Sequence, residues 1–199
     1  MSRKIIPFVV AFVLICLVMV VAGVFAFSGA VTAQKFGSDV AWETPYTSAE
    51  SMKVIDLTGD GQDELFIQNT SDVSVYDGSG NRLWTFPYSS PKTTLADVNG
   101  DNVEDIIVFY VGSSGMSVDT IINGQQSTLA TSLSIGSPAR IVLIRFSSGP
   151  QIVLGDSAGS LLALTSSGQP TWESSFSNGE IRGLDDAKIG GQTYLAAAS

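Results

Sequence analysis

There is no histidine anywhere in this chain of 199 residues, and its only cysteine is Cys16. The first absence excludes Ser-His-Asp catalysis, histidine-ligated zinc and the commonest general base. Because Cys16 lies in an apolar run near the N-terminus, the rest of the chain has no thiol nucleophile and no disulfide. Positive charge is scarce too: 10 Lys and Arg stand against 19 Asp and Glu, a net charge of −9. Nucleic acid and anionic lipid headgroups both ask for a basic surface, so both are disfavoured as partners. The same acidity keeps an exported domain soluble.

What is present begins with 23 uncharged residues, Ile5 to Phe27. At about 1.5 Å per residue, a helix of that length crosses a hydrocarbon core of about 30 Å. Arg3 and Lys4 precede the run and the next basic residue is Lys35, so the positive-inside bias keeps residues 1–4 cytoplasmic. The expectation is a signal-anchor helix over 5–27 that uses the bilayer as a partner. A linker over 28–39 and an extracytoplasmic remainder, at the cell surface or in the periplasm, follow. The alternative is a secreted protein cleaved near Ala33, since Val31-Thr32-Ala33 resembles a small-residue cleavage site; signal h-regions, however, usually span about 7–15 residues.

The remainder repeats. Val40-Ala-Trp42-Glu-Thr-Pro45-Tyr46 aligns with Arg82-Leu-Trp84-Thr-Phe-Pro87-Tyr88, and Trp172 follows two further periods on. Two acidic segments, Asp56 to Glu64 and Asp97 to Asp105, recur at nearly the same spacing. Within a period the segments are short, β-branched or aromatic, and separated by Gly-rich turns such as Asp77-Gly-Ser-Gly80 and Asn123-Gly124, which is a hairpin pattern. Four strands per period of about 40–45 residues describe a propeller blade. The expected fold is therefore all-β: a β-propeller with four-stranded blades near 49–90, 91–135 and 138–177 and an incomplete one at 178–199, within a domain of 40–199. About three and a half repeats leave the ring incomplete, and the expectation is that these residues are the N-terminal portion of a longer protein. The Trp42 segment matches the last strand of a blade although it comes first. The three tryptophans are read as core between blades.

Each acidic segment places oxygen-bearing side chains at positions 1, 3, 5 and 9. In the first these are Asp56, Thr58, Asp60 and Glu64, with a backbone carbonyl from Gln62. In the second they are Asp97, Asn99, Asp101 and Asp105, with a carbonyl from Val103. Calcium wants about 6–8 oxygens at roughly 2.3–2.6 Å, and Gly59 and Gly100 permit the bend that gathers them. Crowded carboxylates repel one another without a cation, so Ca2+ is the expected cofactor. An EF-hand would need a Glu at position 12, where Ile67 and Val108 stand. The third period joins its first strands through Ser147-Ser-Gly-Pro150 and has no cage. Asp185-Asp186 falls at the loop phase of the fourth and reads as a solvated turn. Asn69-Thr-Ser71 matches a glycosylation acceptor, and Gly59-Asp-Gly61 lacks the Lys and the helix of a phosphate loop.

These loops, each running into an apolar strand, resemble FG-GAP or VCBS repeats, the blades of integrin-α-like propellers. Asp77-Gly-Ser-Gly-Asn-Arg-Leu-Trp84 and Gly159-Ser-Leu-Leu-Ala-Leu, continuing to Trp172, resemble quinoprotein-like repeats instead. The resemblance covers roughly 40–199 and implies a cell-surface or periplasmic binding propeller whose loops are braced by calcium. The Phe-Gly and Gly-Ala-Pro signatures that name the first family are not evident in the repeats, and Asn102 replaces Gly61 in the second loop.

The function expected is a non-catalytic, membrane-anchored extracytoplasmic propeller that binds protein or carbohydrate. Two alternatives stay open. One is a docking platform within a larger membrane complex. The other is an enzyme, either a quinoprotein-like dehydrogenase or a hydrolase or lyase working through paired carboxylates.

Overall fold

The computed structural model describes residues 28–34, 40–177 and 179–199, with side-chain surroundings from residue 48 onward. The anchor expected over 5–27 lies outside them. Among the described residues no helix is long and apolar enough to cross a membrane; they form strands and turns alone.

A two-stranded hairpin comes first, β1 (Ser28–Gln34) with β2 (Val40–Thr47). Three four-stranded antiparallel sheets follow, each a meander in which sequence neighbours pair. The first contains β3 (Ser51–Ile55), β4 (Glu64–Gln68), β5 (Asp72–Tyr76) and β6 (Arg82–Pro87). The second contains β7 (Lys92–Ala96), β8 (Asp105–Gly112), β9 (Gly115–Ile122) and β10 (Gln125–Leu133). The third contains β11 (Pro138–Phe146), β12 (Gly149–Asp156), β13 (Ser160–Thr165) and β14 (Pro170–Ser175). A last hairpin joins β15 (Gly183–Ile189) to β16 (Gln192–Ala198). Pro87, Pro138 and Pro170 all stand at strand ends, where a missing N–H costs the ladder least. The stretch expected as a linker over 28–39 thus carries β1.

The middle strands explain how the sheets stack. Side chains alternate across a strand, so a strand buried on both faces reads as one apolar run. Ile106-Ile107-Val108-Phe109 of β8 is such a run, each residue almost fully buried. Ile106 and Val108 pack with Phe66, Val73 and Val75 of the first sheet. Ile107 and Phe109 pack with Ile152, Leu154 and Leu164 of the third. Val153, Leu161 and Ala163 then turn the other face of the third sheet to Leu184, Leu195 and Ala197 of the last hairpin. Burial of each such side chain contributes about 1.5–3 kcal/mol. The sheets are therefore stacked face to face in chain order. The first strands of the second sheet, the third sheet and the last hairpin lie side by side, β7 next to β11 and β11 next to β15.

Trp84 packs on the core between the first two sheets and Trp172 on the core between the third sheet and the last hairpin, as a repeating core residue should. Trp84 also fixes a turn. A Cβ built on Gly124 would meet Trp84 Nε1 at 2.4 Å, and Asn123 and Gly124 both have positive φ, 45° and 73°. This Asn-Gly turn closes β9 onto β10 while leaving room for the indole of the neighbouring sheet.

One expectation is corrected. Asp185 and Asp186 do not form a turn; they lie within β15, opposite Ala196 and Leu195. The reversal falls instead at Gly190-Gly191, both with positive φ, and the two acids remain exposed on the strand.

Candidate metal centre

The two acidic loops connect the first and second strands of consecutive sheets, β3 to β4 and β7 to β8. They share one hydrogen-bonding plan. The carboxylate at position 1 accepts the N–H groups of positions 4 and 6. Asp56 Oδ1 takes Gly59 at 2.7 Å and Oδ2 takes Gly61 at 2.9 Å; Asp97 takes Gly100 at 2.6 Å and Asn102 at 3.2 Å. The carboxylate at position 5 accepts the N–H of position 7, Gln62 to Asp60 and Val103 to Asp101, both at 2.8 Å. At position 9 the acid turns inward to the N–H of position 2: Glu64 Oε2 accepts from Leu57 at 2.8 Å, and Asp105 Oδ2 from Val98 at 3.0 Å. Glu64 and Asp105 are buried.

The replacement of Gly61 by Asn102 is neutral in shape. Both have left-handed backbone, φ 81° and 68°, and Asn is one of the few residues other than Gly that adopts it readily. Ile67 and Val108, at position 12, are buried in β4 and β8 and have no oxygen to offer.

Electrostatically the loops have diverged. Burial pushes the Asp56 carboxyl up, but the N–H groups of Gly59, Gly61, Thr58 and Asp60 outweigh it and hold it below the usual carboxylate value. Asp97 is held down in the same way. Burial raises it, and the N–H groups of Gly100 and Asn102, the Arg145 charge and the Asp101 N–H bring it lower. Arg145 comes from β11 of the next sheet and lies 3.5 Å from Asp97 Oδ2. Asp105 moves the other way. Burial raises it, and the charges of Asp101 and Asp97 add to that against the opposing N–H groups of Val98 and Asn99.

Among the described residues no three acidic, histidine or cysteine groups converge closely enough to hold a metal ion as they stand. Their oxygens face backbone N–H groups instead. The donor set is nevertheless entirely oxygen, the chemistry a hard cation takes. Thr58 Oγ1, at position 3 of the first loop, is buried without a partner. Such an orphan asks for an explanation, and a ligand would give it one. Beside this loop a cleft of about 540 Å³ is lined by Thr58, Asp60, Gln62, Glu64, Asp77, Gly78, Ser79 and Leu83. Asp77 belongs to the β5–β6 turn, where its Oδ1 accepts the N–H groups of Ser79 and Asn81, each at 2.8 Å.

Two further groups carry no signal in the loop pattern. Glu104, at position 8 of the second loop, ends in a buried oxygen without a partner. Asp119 on β9 is fully buried. Its carboxylate accepts Gln126 Nε2 at 2.6 Å, Tyr110 Oη at 3.1 Å and Tyr88 Oη at 3.2 Å. The Tyr88 and Tyr110 rings meet edge to face, with centroids 4.7 Å apart. Burial and then the Asp119 charge push both phenols above the ordinary tyrosine value, Tyr88 well above it. The signal in the sequence was a lone acid within the apolar run Met116 to Ile122.

Asn69 is not free to carry a glycan. It is buried, with its Oδ1 accepting Ser71 and Asp72 N–H groups at 2.6 and 2.7 Å, an Asx-turn.

No protein-family model matches the chain, and no curated protein does.

Proposed function

We propose that the chain is a membrane-anchored, extracytoplasmic β-propeller, braced by calcium, that binds protein or carbohydrate without catalysing a reaction. The observation that carries this reading is the series of equivalent four-stranded meanders stacked face to face, two of which bear the same carboxylate loop at the same place. In a propeller those loops share one end of the ring, and the cleft beside the first loop opens there. Calcium would take side-chain oxygens from Asp56, Thr58, Asp60 and Glu64, and from Asp97, Asn99, Asp101 and Asp105, with the Gln62 and Val103 carbonyls. It would neutralise acids that otherwise depend mainly on backbone N–H groups. The absence of histidine, and of cysteine beyond Cys16, supports a binding role over a catalytic one.

The test uses full-length protein in detergent. Calcium should raise its melting temperature, and retention on immobilised polysaccharides or extracellular proteins should fall when a chelator is added. Turnover of a polysaccharide, or a quinone spectrum in the purified chain, would replace this reading with the enzymatic one.

A further inference from the structure

Cross-strand rows can be followed from the second strand of each sheet to its outer edge. In the first sheet Phe66 lies opposite Val75, and Val75 opposite Trp84. In the third, Val153 lies opposite Ala163, and Ala163 opposite Trp172. In the second, Ile107 lies opposite Thr120, and Thr120 opposite Ser127. Phe66, Ile107 and Val153 each pack on the core shared with the following sheet, so the rows are equivalent. The place of the indole is thus held in the second sheet by Ser127, whose hydroxyl meets that of Thr120 at 3.0 Å. No described tryptophan packs on the core between the second and third sheets.

Beyond Ser127 the outer strand is irregular. The register of β10 on β9 slips between Thr128 and Ala130 and again between Ala130 and Leu133, leaving Leu129, Thr131 and Ser132 outside the pairing. Ser132 has left-handed backbone, φ 55°, which a residue other than glycine holds only at a cost. The first slip sets the Leu129 carbonyl against the β13–β14 turn, where a Cβ built on Gly168 would run into its oxygen. Past this contact a cavity of about 330 Å³ lies between β10 and the β13–β14 hairpin. A second, of about 320 Å³, shares Ser134 and Leu162 with it. Bulges are frequent beside binding sites, where they re-aim side chains, and each cavity falls within the ligand-site range of about 300–1,000 Å³.

The lining divides by chemistry. Leu162 is buried and Leu133 and Ile135 half-buried, an apolar floor, while Ser134, Gln169 and Glu173 stand exposed at the rim. Hydroxyl and amide groups donate and accept, and a carboxylate accepts. Ser134 Oγ donates to Glu173 Oε1 across the seam at 3.4 Å, a long bond that a ligand hydroxyl replaces readily. Glu173 is the only charge in either lining, and neither contains Lys or Arg. A sugar ring suits such a surface, with C–H groups for the floor and hydroxyls for the rim. A phosphate or an acidic glycan finds no counter-charge there and meets a carboxylate. A partner strand is opposed as well, because bulges blunt an edge against pairing.

We infer that the groove between the second and third sheets binds a neutral oligosaccharide, its hydroxyls on Glu173 and Ser134 and its C–H face on Leu162. This assignment rests on the binding role proposed above and names a ligand class for it.

The experiment uses the full-length chain in detergent, with calcium present, and calorimetric titration. The probes are short oligosaccharides of glucose, mannose, galactose and N-acetylglucosamine, with sulfated and uronic-acid oligosaccharides as charged controls. A neutral probe should bind and the charged ones should not. Glu173→Ala should weaken that probe about tenfold, as the loss of a hydrogen bond to a charged group does. Ser134→Trp fills the junction of the two cavities and should abolish binding. Both residues are exposed, so both variants should melt with the parent, which separates loss of the site from loss of the fold. Neutral probes that bind both variants as tightly as the parent overturn the groove and leave the binding role standing. Preference for a charged probe overturns the ligand class. If no oligosaccharide binds while immobilised extracellular proteins are retained, the groove alone fails; if neither is held, the binding role fails with it.

Discussion

The acidic loops and the Asp119 cluster are two ways of keeping carboxylates in a β-protein. In the loops the acids at positions 1, 5 and 9 are served by backbone N–H groups two to seven residues away. Asp119 is served by side chains: Gln126 from the next strand, Tyr110 from β8, and Tyr88 from the connection between the first two sheets, 31 residues away. Four of the loop acids, Asp56, Asp60, Asp97 and Asp101, lie exposed or half-buried at the solvent edge, where a cation can reach them. Asp119 is enclosed and saturated by neutral donors. The difference separates a site from a tie: a loop can gain a ligand, whereas the cluster locks two sheets together and gains nothing from one.

The strongest way to break this comparison is to remove each anion in turn in calcium-free buffer. Asp119→Ala leaves the buried Tyr88 hydroxyl without its acceptor, together with a small void, and should cost about 3 kcal/mol in urea denaturation. Asp56→Ala exposes its abandoned N–H groups to water and should cost clearly less. A larger loss for Asp56→Ala would make the loop the structural element and the cluster the dispensable one.

Calcium provides the next largest contrast. A site loaded at ten times its Kd contributes about 1.4 kcal/mol, so chelation should lower the melting temperature of the parent protein by several degrees. Asp60→Ala with Asp101→Ala should abolish that response, and Asp119→Asn should leave it whole. A chelator response that survives the double loop variant would move the cation elsewhere.

Alkali reverses the roles. Tyr88 and Tyr110 have folded pKa values above their ordinary value of 10.0. Their contribution is thus fully present below about pH 10 and is lost as pH rises through the folded values. The urea midpoint should hold to about pH 10 and then fall. Tyr88→Phe should make the fall shallower, and the double loop variant should leave it unchanged.

The same contrast decides what could be read from the sequence. The sheets were legible because their markers are local. Trp84 and Trp172 recur in phase, and each acidic loop holds its oxygen-bearing side chains within nine residues. The Asp119 cluster was not, because strands and a connection far apart in sequence supply it, and nothing in Tyr88 or Gln126 points to β9. β1 was missed for another reason. Ser28-Gly-Ala-Val-Thr-Ala-Gln34 is built of small residues without apolar alternation, so only its register with β2 reveals it as a strand. Asp185-Asp186 misled because the pair sits where the first two repeats carry their acidic loops. In this repeat two glycines take over the turn further along, and the strand runs through the acids.

Arg145 sharpens the comparison inside the loops themselves, with the smallest expected effect. Its guanidinium is 57% exposed, so the pair with Asp97 contributes less than about 1 kcal/mol to stability. The same charge opposes a second cation at the second loop, and the first loop has no equivalent among its bonded partners. Arg145→Gln should therefore cost little in chelator yet tighten calcium at the second loop by about tenfold, the equivalent of about 1.4 kcal/mol for a unit charge roughly 6 Å from a divalent ion in water. Calorimetric titration of the variant in an Asp60→Ala background isolates that site, and raised salt should shrink the gain. If calcium binds more weakly without Arg145, the arginine holds Asp97 in place for the ion instead of competing with it. The two loops would then be one device in two settings, both dependent on a pre-set carboxylate, and the divergence in their charge would have no bearing on which fills first.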